Sequence, residues 1–383
     1  MKLRRHRFRL ISLMIAVCVL LLSAAGLFFR WQDQDRWSSR SILAESEGSI
    51  PSGEILDRKE TVLASTADGA RLYQSDADRR AATVHLLGDR DGLVSGGVES
   101  LHSGYLYPSR PGLIQAITAL FQPAEESVSQ MHLTVSADLC AEIPAAFSGR
   151  LQGDYRGAAV IVQYQTGEIL GLSSLPSFDP DHPDGVRNGL PDRPELNRAV
   201  LAMIPLTGTQ TGQILPKDPI SSDYRDLQPD PSSEITASPL FLSMVAAAAG
   251  NDGVIREPRL IHDIRTSAGA TLLNWTPGRL LGQMDADTLT RLQQRMREGV
   301  QGDGSAAEAA VATLDIRGLA ESLPDPEHPE QFVSWFFGYS AQTDFPYALC
   351  VLWENAPDAL SGRIGTARIA RDLFQWIRNH PDL

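Results

Sequence analysis

The chain has 383 residues, 43% hydrophobic and 21% charged, a composition typical of a globular protein long enough for two or three domains. Residues 1–30 contain six lysines and arginines and no acidic residue, so the overall net charge of −13 becomes −19 for residues 31–383. A body this acidic repels phosphate backbones, and the composition therefore argues against a nucleic-acid partner.

An uncharged apolar stretch, residues 10–29, follows the basic N-terminus. Its twenty residues match the roughly 20 that a helix needs to cross the hydrocarbon core of a membrane. Because basic flanks stay in the cytoplasm, we expect a single-pass anchor with residues 1–9 inside and the body outside. A cleaved signal peptide is the alternative, since Ser23–Ala25 offers small residues, but the stretch is longer than a signal core of about 7–15 residues.

Apolar runs on either side of short polar turns predict three β-hairpins. They lie at Gly53–Ser65 with a turn at Arg58–Glu60, at Arg156–Ser174, and at Val333–Asn355 with a turn at Gln342–Phe345. The middle hairpin is rich in Val, Ile and Leu on both strands, so we expect it to be buried.

Apolar periodicity and capping residues predict four helices. They fall within Leu133–Gly149 after a short strand, within Ser238–Gly253, from Asp285 to Val300, and from Arg363 to Asn379. Ser136 and Ser238 are the expected N-caps of the first two. Pro144 lies inside the first helix and should kink or shorten it.

Antiparallel strand pairs covered by helices make an α+β fold. We expect a stalk and a small membrane-proximal pedestal domain over residues 30–130, and the main domain over residues 131–383. Cys140 and Cys350 could pair outside the cell, but no feature of the sequence places them together, and buried unpaired thiols are the preferred interpretation. The sequence predicts no cofactor and no metal site, since it contains neither a nucleotide-binding glycine motif nor a histidine pair with ligand spacing.

An ordered series of segments resembles the class B penicillin-binding proteins, the membrane-anchored D,D-transpeptidases of bacterial cell-wall synthesis. The segments are GEILDRKETVLA from Gly53, GGVES from Gly96, LTVSADL from Leu133, GAAVIVQYQTGEILGLSSLPSFDPD from Gly157, NRAV from Asn197, SPLFLSMVAAAAGNDG from Ser238, REGVQGDGSA from Arg297 and SWFFGYSAQTDFPYALCVLWEN from Ser334. The resemblance implies a transpeptidase-like antiparallel sheet sandwiched by helices. It also implies, as a partner, a membrane-embedded glycan polymerase or another wall-synthesis or division protein.

The catalytic motifs of that family are not found at the matching positions. In the family S-x-x-K places a serine nucleophile and its lysine base one helical turn apart; here those positions are Gly208 and Thr211. The three lysines of the chain complete no S-x-x-K, and no S-x-N is present. The family's K-T-G is matched by Ile316, Arg317 and Gly318.

Other chemistries remain open for the altered site. Thr207, Thr209 and Thr211 supply hydroxyls, although turn and cap bonding is the preferred role. Arg317 could bind a carboxylate, such as a peptide terminus, but a solvated strand residue is the preferred interpretation. The acidic pairs Asp179/Asp181 and Asp325/Glu327 could mimic glycosidase carboxylates, but charged proline-rich loops usually serve solubility.

Two functions from different classes follow. With all three motifs changed, the sequence favours a pseudoenzyme: a membrane-anchored, non-catalytic scaffold or regulator in peptidoglycan synthesis or division. The alternative is a D,D-transpeptidase- or carboxypeptidase-like enzyme with residual or altered activity on peptidoglycan peptides.

Overall fold

The computed structural model describes residues 53–68, 70–94, 96–101, 106, 129–149, 155–183, 186, 192–206, 209, 236–266, 269–274, 277–326 and 328–383. The anchor expected at residues 10–29 lies outside this part of the chain, as do Gly208 and Thr211. Among the residues described, no helix is both long and apolar enough to cross a membrane.

The strands of the described residues form two larger sheets and two short pairs. In chain order they are β1 Glu54–Leu56, β2 Val62–Ala67, β3 Ala70–Tyr73, β4 Ser129–Leu133, β5 Gly157–Gln163, β6 Glu168–Leu175, β7 Ile204–Pro205, β8 Thr236–Ala237, β9 Val254–Arg256, β10 Ile261–Thr266, β11 Thr271–Asn274, β12 Leu280–Gln283, β13 Ile316–Pro324, β14 Phe332–Ser340 and β15 Tyr347–Ala356.

The helices of the described residues lie between runs of these strands and after the last one. They are α1 Ala77–Leu87, α2 Val98–Leu101, α3 Ala137–Ser148, α4 Arg198–Leu201, α5 Pro239–Gly250, α6 Ala286–Val300 and α7 Ala359–Asn379, with a 3₁₀ turn at Ala307–Ala309.

The main sheet has the order β13-β14-β15-β5-β6 and is antiparallel throughout. Its two faces are covered by different helices because side chains alternate along each strand. Trp335 and Phe337 face the core that includes α5, whereas Phe336 between them faces the core that includes α7. This helix–sheet–helix arrangement confirms the expected α+β transpeptidase-like fold.

A second sheet has the order β11-β10-β4-β1-β2-β3, with β1 and β4 parallel and its other pairs antiparallel. The hairpin β1–β2 and strand β3 come from the N-terminal region, whereas β10 and β11 come from the middle of the chain. Strands from both sides of residue 130 therefore share one sheet.

The local predictions agree with these elements. All three hairpins form, and all four helices are found. Ser136 caps α3 by accepting a hydrogen bond from the Leu139 N–H, and Ser238 caps α5 through the Phe241 N–H. Helix α3 continues past Pro144 to Ser148, so the proline does not shorten it.

The two cysteines of the described residues, Cys140 and Cys350, are fully buried free thiols, as the preferred interpretation held. Burial raises the pKa of Cys140 to about 12 and also raises that of Cys350. Both thiols are therefore protonated and inert at neutral pH.

Candidate functional site

Strand β13 places the three residues that stand where K-T-G is expected. It forms an edge of the main sheet and pairs with β14, so that Ile316 lies opposite Ser340 and Arg317 opposite Tyr339. The side chain of Ile316 is 5% exposed and belongs to the core beneath α7, together with Phe336. Its position is therefore an apolar packing position.

Arg317 lies on the opposite face of β13. Its guanidinium binds the carboxylate of Asp315, with Nη2 2.8 Å from Oδ2 and Nε 3.4 Å from Oδ1, and this pairing raises the pKa of Arg317. Burial raises the pKa of neighbouring Tyr339. The side chain of Arg317 is 18% exposed, so it is a half-buried, internally paired cation rather than a fully solvated one.

Gly318 is required by packing. A Cβ at this position would lie 2.6 Å from Cζ of Phe336 and 2.8 Å from the Phe337 carbonyl oxygen, which is too close for any side chain. A Cβ added at Gly299 of helix α6 would in turn clash with the Gly318 carbonyl oxygen, so the two backbones approach closely here. The one K-T-G residue that this chain keeps thus has a structural reason to stay.

The chain approaches the expected nucleophile position through α4 and β7. Thr209 is buried, and its hydroxyl donates a 2.7 Å hydrogen bond to the Leu206 carbonyl. This is the turn bonding expected of the threonines. Thr207, Gly208 and Thr211 lie outside the described residues, so their predicted roles remain predictions.

The acidic residues considered as glycosidase-like pairs have other bonds. Asp179 accepts two hydrogen bonds from Arg80, at 2.8 and 2.7 Å, and these lower the pKa of Asp179. Asp181 lies 3.4 Å from the same guanidinium. Asp325 accepts from the His328 N–H within a turn, and Glu327 is outside the described residues. The described part of the chain also contains no group of three or more His, Cys, Asp and Glu able to hold a metal.

Sequence reasoning missed a buried ion pair behind α4. Nε of Arg198 lies 2.7 Å from Oε2 of Glu354, and the arginine side chain is 4% exposed. Both residues belong to segments that resemble the family, NRAV and the end of SWFFGYSAQTDFPYALCVLWEN. The presence of opposite charges in two such segments was the available signal, but their separation of 156 residues hid the contact.

Comparisons with known proteins agree with this fold. Residues 203–375 match the family model described as the penicillin binding protein transpeptidase domain. The Peptidoglycan D,D-transpeptidase PbpA of Mycolicibacterium smegmatis is 29% identical over 150 residues, which is 37% of this chain. That alignment spans 30% of the relative's own length.

Solved structures share the fold over most of the chain. PBPA from Mycobacterium tuberculosis superposes with a TM-score of 0.65 and 16% identity, covering 85% of this chain and 98% of that structure. Penicillin binding protein 3 from the same organism gives a TM-score of 0.64 and 17% identity, covering 88% and 97%. The D,D-transpeptidase domain of a peptidoglycan glycosyltransferase from Eggerthella lenta gives 0.62 and 16%, covering 88% and 100%.

At these identities the solved structures establish the fold, and the family model matches residues 203–375, less than half of the chain. The chain is similar to the class B penicillin-binding proteins and has the fold of their transpeptidase domain.

Proposed function

We propose that this chain is a catalytically inactive member of its family that acts as a membrane-anchored scaffold or regulator in peptidoglycan synthesis or division. The observation that carries the proposal is the pair Gly208 and Thr211 in a sequence that contains no S-x-x-K. Glycine has no nucleophile, and the threonine hydroxyl is not a base near neutral pH.

The surroundings of Ile316 support the proposal. A lysine at this position would place its ammonium group in the apolar core beneath α7, where an unpaired charge is costly. The adjacent cation, Arg317, is already bound to Asp315. Ile316 carries no charge and the charge of Arg317 is already paired, so neither residue supplies a free cation that could polarise a substrate.

The partner role is inferred from what the chain retains. The fold and the hydrophobic segment at residues 10–29 remain, while the three motifs are changed. We propose that residues 10–29 span the membrane, that the body is extracytoplasmic, and that the partner is a membrane-embedded peptidoglycan glycosyltransferase or another wall-synthesis or division protein.

The competing function is an enzyme with residual or altered activity on peptidoglycan peptides. It is favoured by the name of the Mycolicibacterium smegmatis relative, a peptidoglycan D,D-transpeptidase. A hydroxyl such as that of Thr209 would then be the nucleophile, although in the structure this hydroxyl donates to the Leu206 carbonyl.

Acylation by penicillin separates the two functions. Because the sequence contains no S-x-x-K, we expect intact-mass analysis after incubation with benzylpenicillin to show one unshifted species. The double variant Gly208→Ser, Thr211→Lys should also stay unmodified, since S-x-N and K-T-G are missing as well. A mass increase in the wild type that disappears in Thr209→Ala or Thr211→Ala would establish the enzyme instead.

A further inference from the structure

Helix α1, in the N-terminal region, contacts the chain segment at residues 192–206 that leads to the expected nucleophile position; we call this the approach segment. We infer that α1 sets the position of the approach segment, with Arg80, His85 and Asn197 as the positioning residues. The inference goes beyond the proposed function and holds whether or not the site is catalytic.

Arg80 fixes the loop that precedes the approach segment. Its guanidinium is 13% exposed and binds both oxygens of Asp179, which follows β6 in the chain. A third nitrogen, Nη1, donates to the Gln74 carbonyl at 2.9 Å. A planar guanidinium bound in this two-point manner defines the orientation of the carboxylate as well as its distance.

His85 contacts the approach segment directly. Its Nε2 lies 2.7 Å from the Pro194 carbonyl oxygen and must donate, since a carbonyl only accepts. The ring also meets Phe178 edge-on, with centroids 6.2 Å apart. At 1% exposure, His85 can make this bond only while α1 and the approach segment stay packed together.

The side chain of Asn197 bonds to α1 instead of capping its own helix. Asn197 is the N-cap residue of α4, where an asparagine usually accepts a bond from the first turn of its own helix. Here it makes no such cap bond, and its Nδ2 donates instead to the His85 carbonyl at 3.2 Å. Its Oδ1 is buried and accepts no hydrogen bond from any residue that the structure describes. A capping residue diverted from its own helix indicates that the α1 contact determines where α4 begins.

The contact continues from α4 into the main sheet. The Arg198 N–H donates to Ser174 Oγ at 2.9 Å, and the Arg198 guanidinium binds Glu354 at the end of β15. Strand β7 begins three residues after α4 ends. A partner that moves α1 therefore displaces the approach segment, which links the N-terminal region to the altered site.

Hydrogen–deuterium exchange of the 383-residue chain in detergent tests this inference. The two test variants are Arg80→Ala and Asn197→Ala; alanine has no polar group, so it removes the amide that donates to the His85 carbonyl. Arg79→Ala is the matched control, because Arg79 is the preceding residue of α1 and binds Asp138 of α3 at 2.7 Å.

We expect each test variant to speed exchange in peptides covering 192–206 by about tenfold, which corresponds to about 1.4 kcal/mol of local opening. Peptides of β15 and α7 should not change, and Arg79→Ala should leave the approach segment at the wild-type rate. If both test variants leave residues 192–206 unchanged, or if α7 accelerates equally, α1 does not position the approach segment.

Discussion

At the scale of single residues, Asp57 has a structural role within a segment that resembles the family. Asp57 of the first resembling segment is 2% exposed. Its Oδ1 accepts from the Lys59 and Thr61 N–H groups, both at 2.8 Å, and its Oδ2 accepts from the Ala137 N–H at 3.1 Å. One carboxylate thus closes the turn of the first hairpin and satisfies the start of α3. This role is independent of whether the protein is an enzyme.

His85 is expected to make the stability of the protein depend on pH. Burial lowers its pKa from the ordinary 6.5 to about 4, with Arg198 lowering and Glu195 raising it to a smaller extent. Between pH 6.5 and 4 the unfolded chain binds a proton at this position that the folded chain does not bind. The contribution of His85 to the free energy of unfolding is therefore fully present above pH 6.5. It is lost as the pH drops towards 4, a decrease of about 3 kcal/mol.

The comparison is between the wild type and His85→Gln, which does not titrate and can still donate to the Pro194 carbonyl. Denaturant unfolding at pH 7 and pH 4 gives the free energy of unfolding of each. We expect the wild type to lose about 3 kcal/mol more than the variant over this range. Equal losses would show that His85 does not contribute to the acid sensitivity.

At the scale of elements, the Arg198–Glu354 pair joins α4 to β15. Removing one partner leaves a buried charge unpaired, which typically costs about 3–5 kcal/mol. Since the Glu354 side chain is 23% exposed, we expect Glu354→Ala to lie near the lower end, at about 3 kcal/mol.

The matched control is Glu195→Ala. Glu195 pairs with Arg193 at 3.4 Å, and that arginine is 64% exposed, so its removal should cost less than about 1 kcal/mol. Thermal and denaturant unfolding of both variants give the measurement. Equal effects would mean that the buried pair adds no more than a surface pair.

Sequence patterns predicted the elements whose information is local. Hairpins such as β5–β6 and caps such as Ser238 depend on residues within about twenty positions of one another. The parallel pairing of β1 with β4, and the joining of β4 to β10, could not be predicted, because their hydrogen bonds connect segments more than seventy residues apart. The bonds of Arg80 with Asp179 and of Arg198 with Glu354 could not be predicted for the same reason, because they join residues 99 and 156 positions apart.

For the candidate site, too, the sequence predicted some features and not others. Comparison with the family's K-T-G motif identified Ile316, Arg317 and Gly318, and the structure places all three on strand β13. The letters could not show which face of the strand each side chain takes. That face decides that Ile316 is a core residue and that Arg317 meets Asp315.

At the scale of the whole molecule, the proposed function divides the chain into a part that binds and a part that no longer reacts. A single membrane span associates with other helices mainly through the packing of its own surface. We therefore expect partner binding to depend on residues 10–29 and on the pedestal region, and to depend little on the altered motif around Gly208.

Co-purification from membranes with a peptidoglycan glycosyltransferase of the same cell tests this division. One variant replaces residues 10–29 with an unrelated membrane-spanning helix, and the other has Gly208→Ala together with Thr211→Ala. We expect the span replacement to reduce recovery of the glycosyltransferase at least about tenfold, which corresponds to a loss of about 1.4 kcal/mol of binding free energy. We expect the double alanine variant to recover the glycosyltransferase at the wild-type level. Immunoblotting of the membrane fraction shows whether the two variants are present in equal amounts. If the span replacement keeps the glycosyltransferase bound while the double alanine variant loses it, the altered site is the binding surface and the assignment of partner binding to residues 10–29 is wrong.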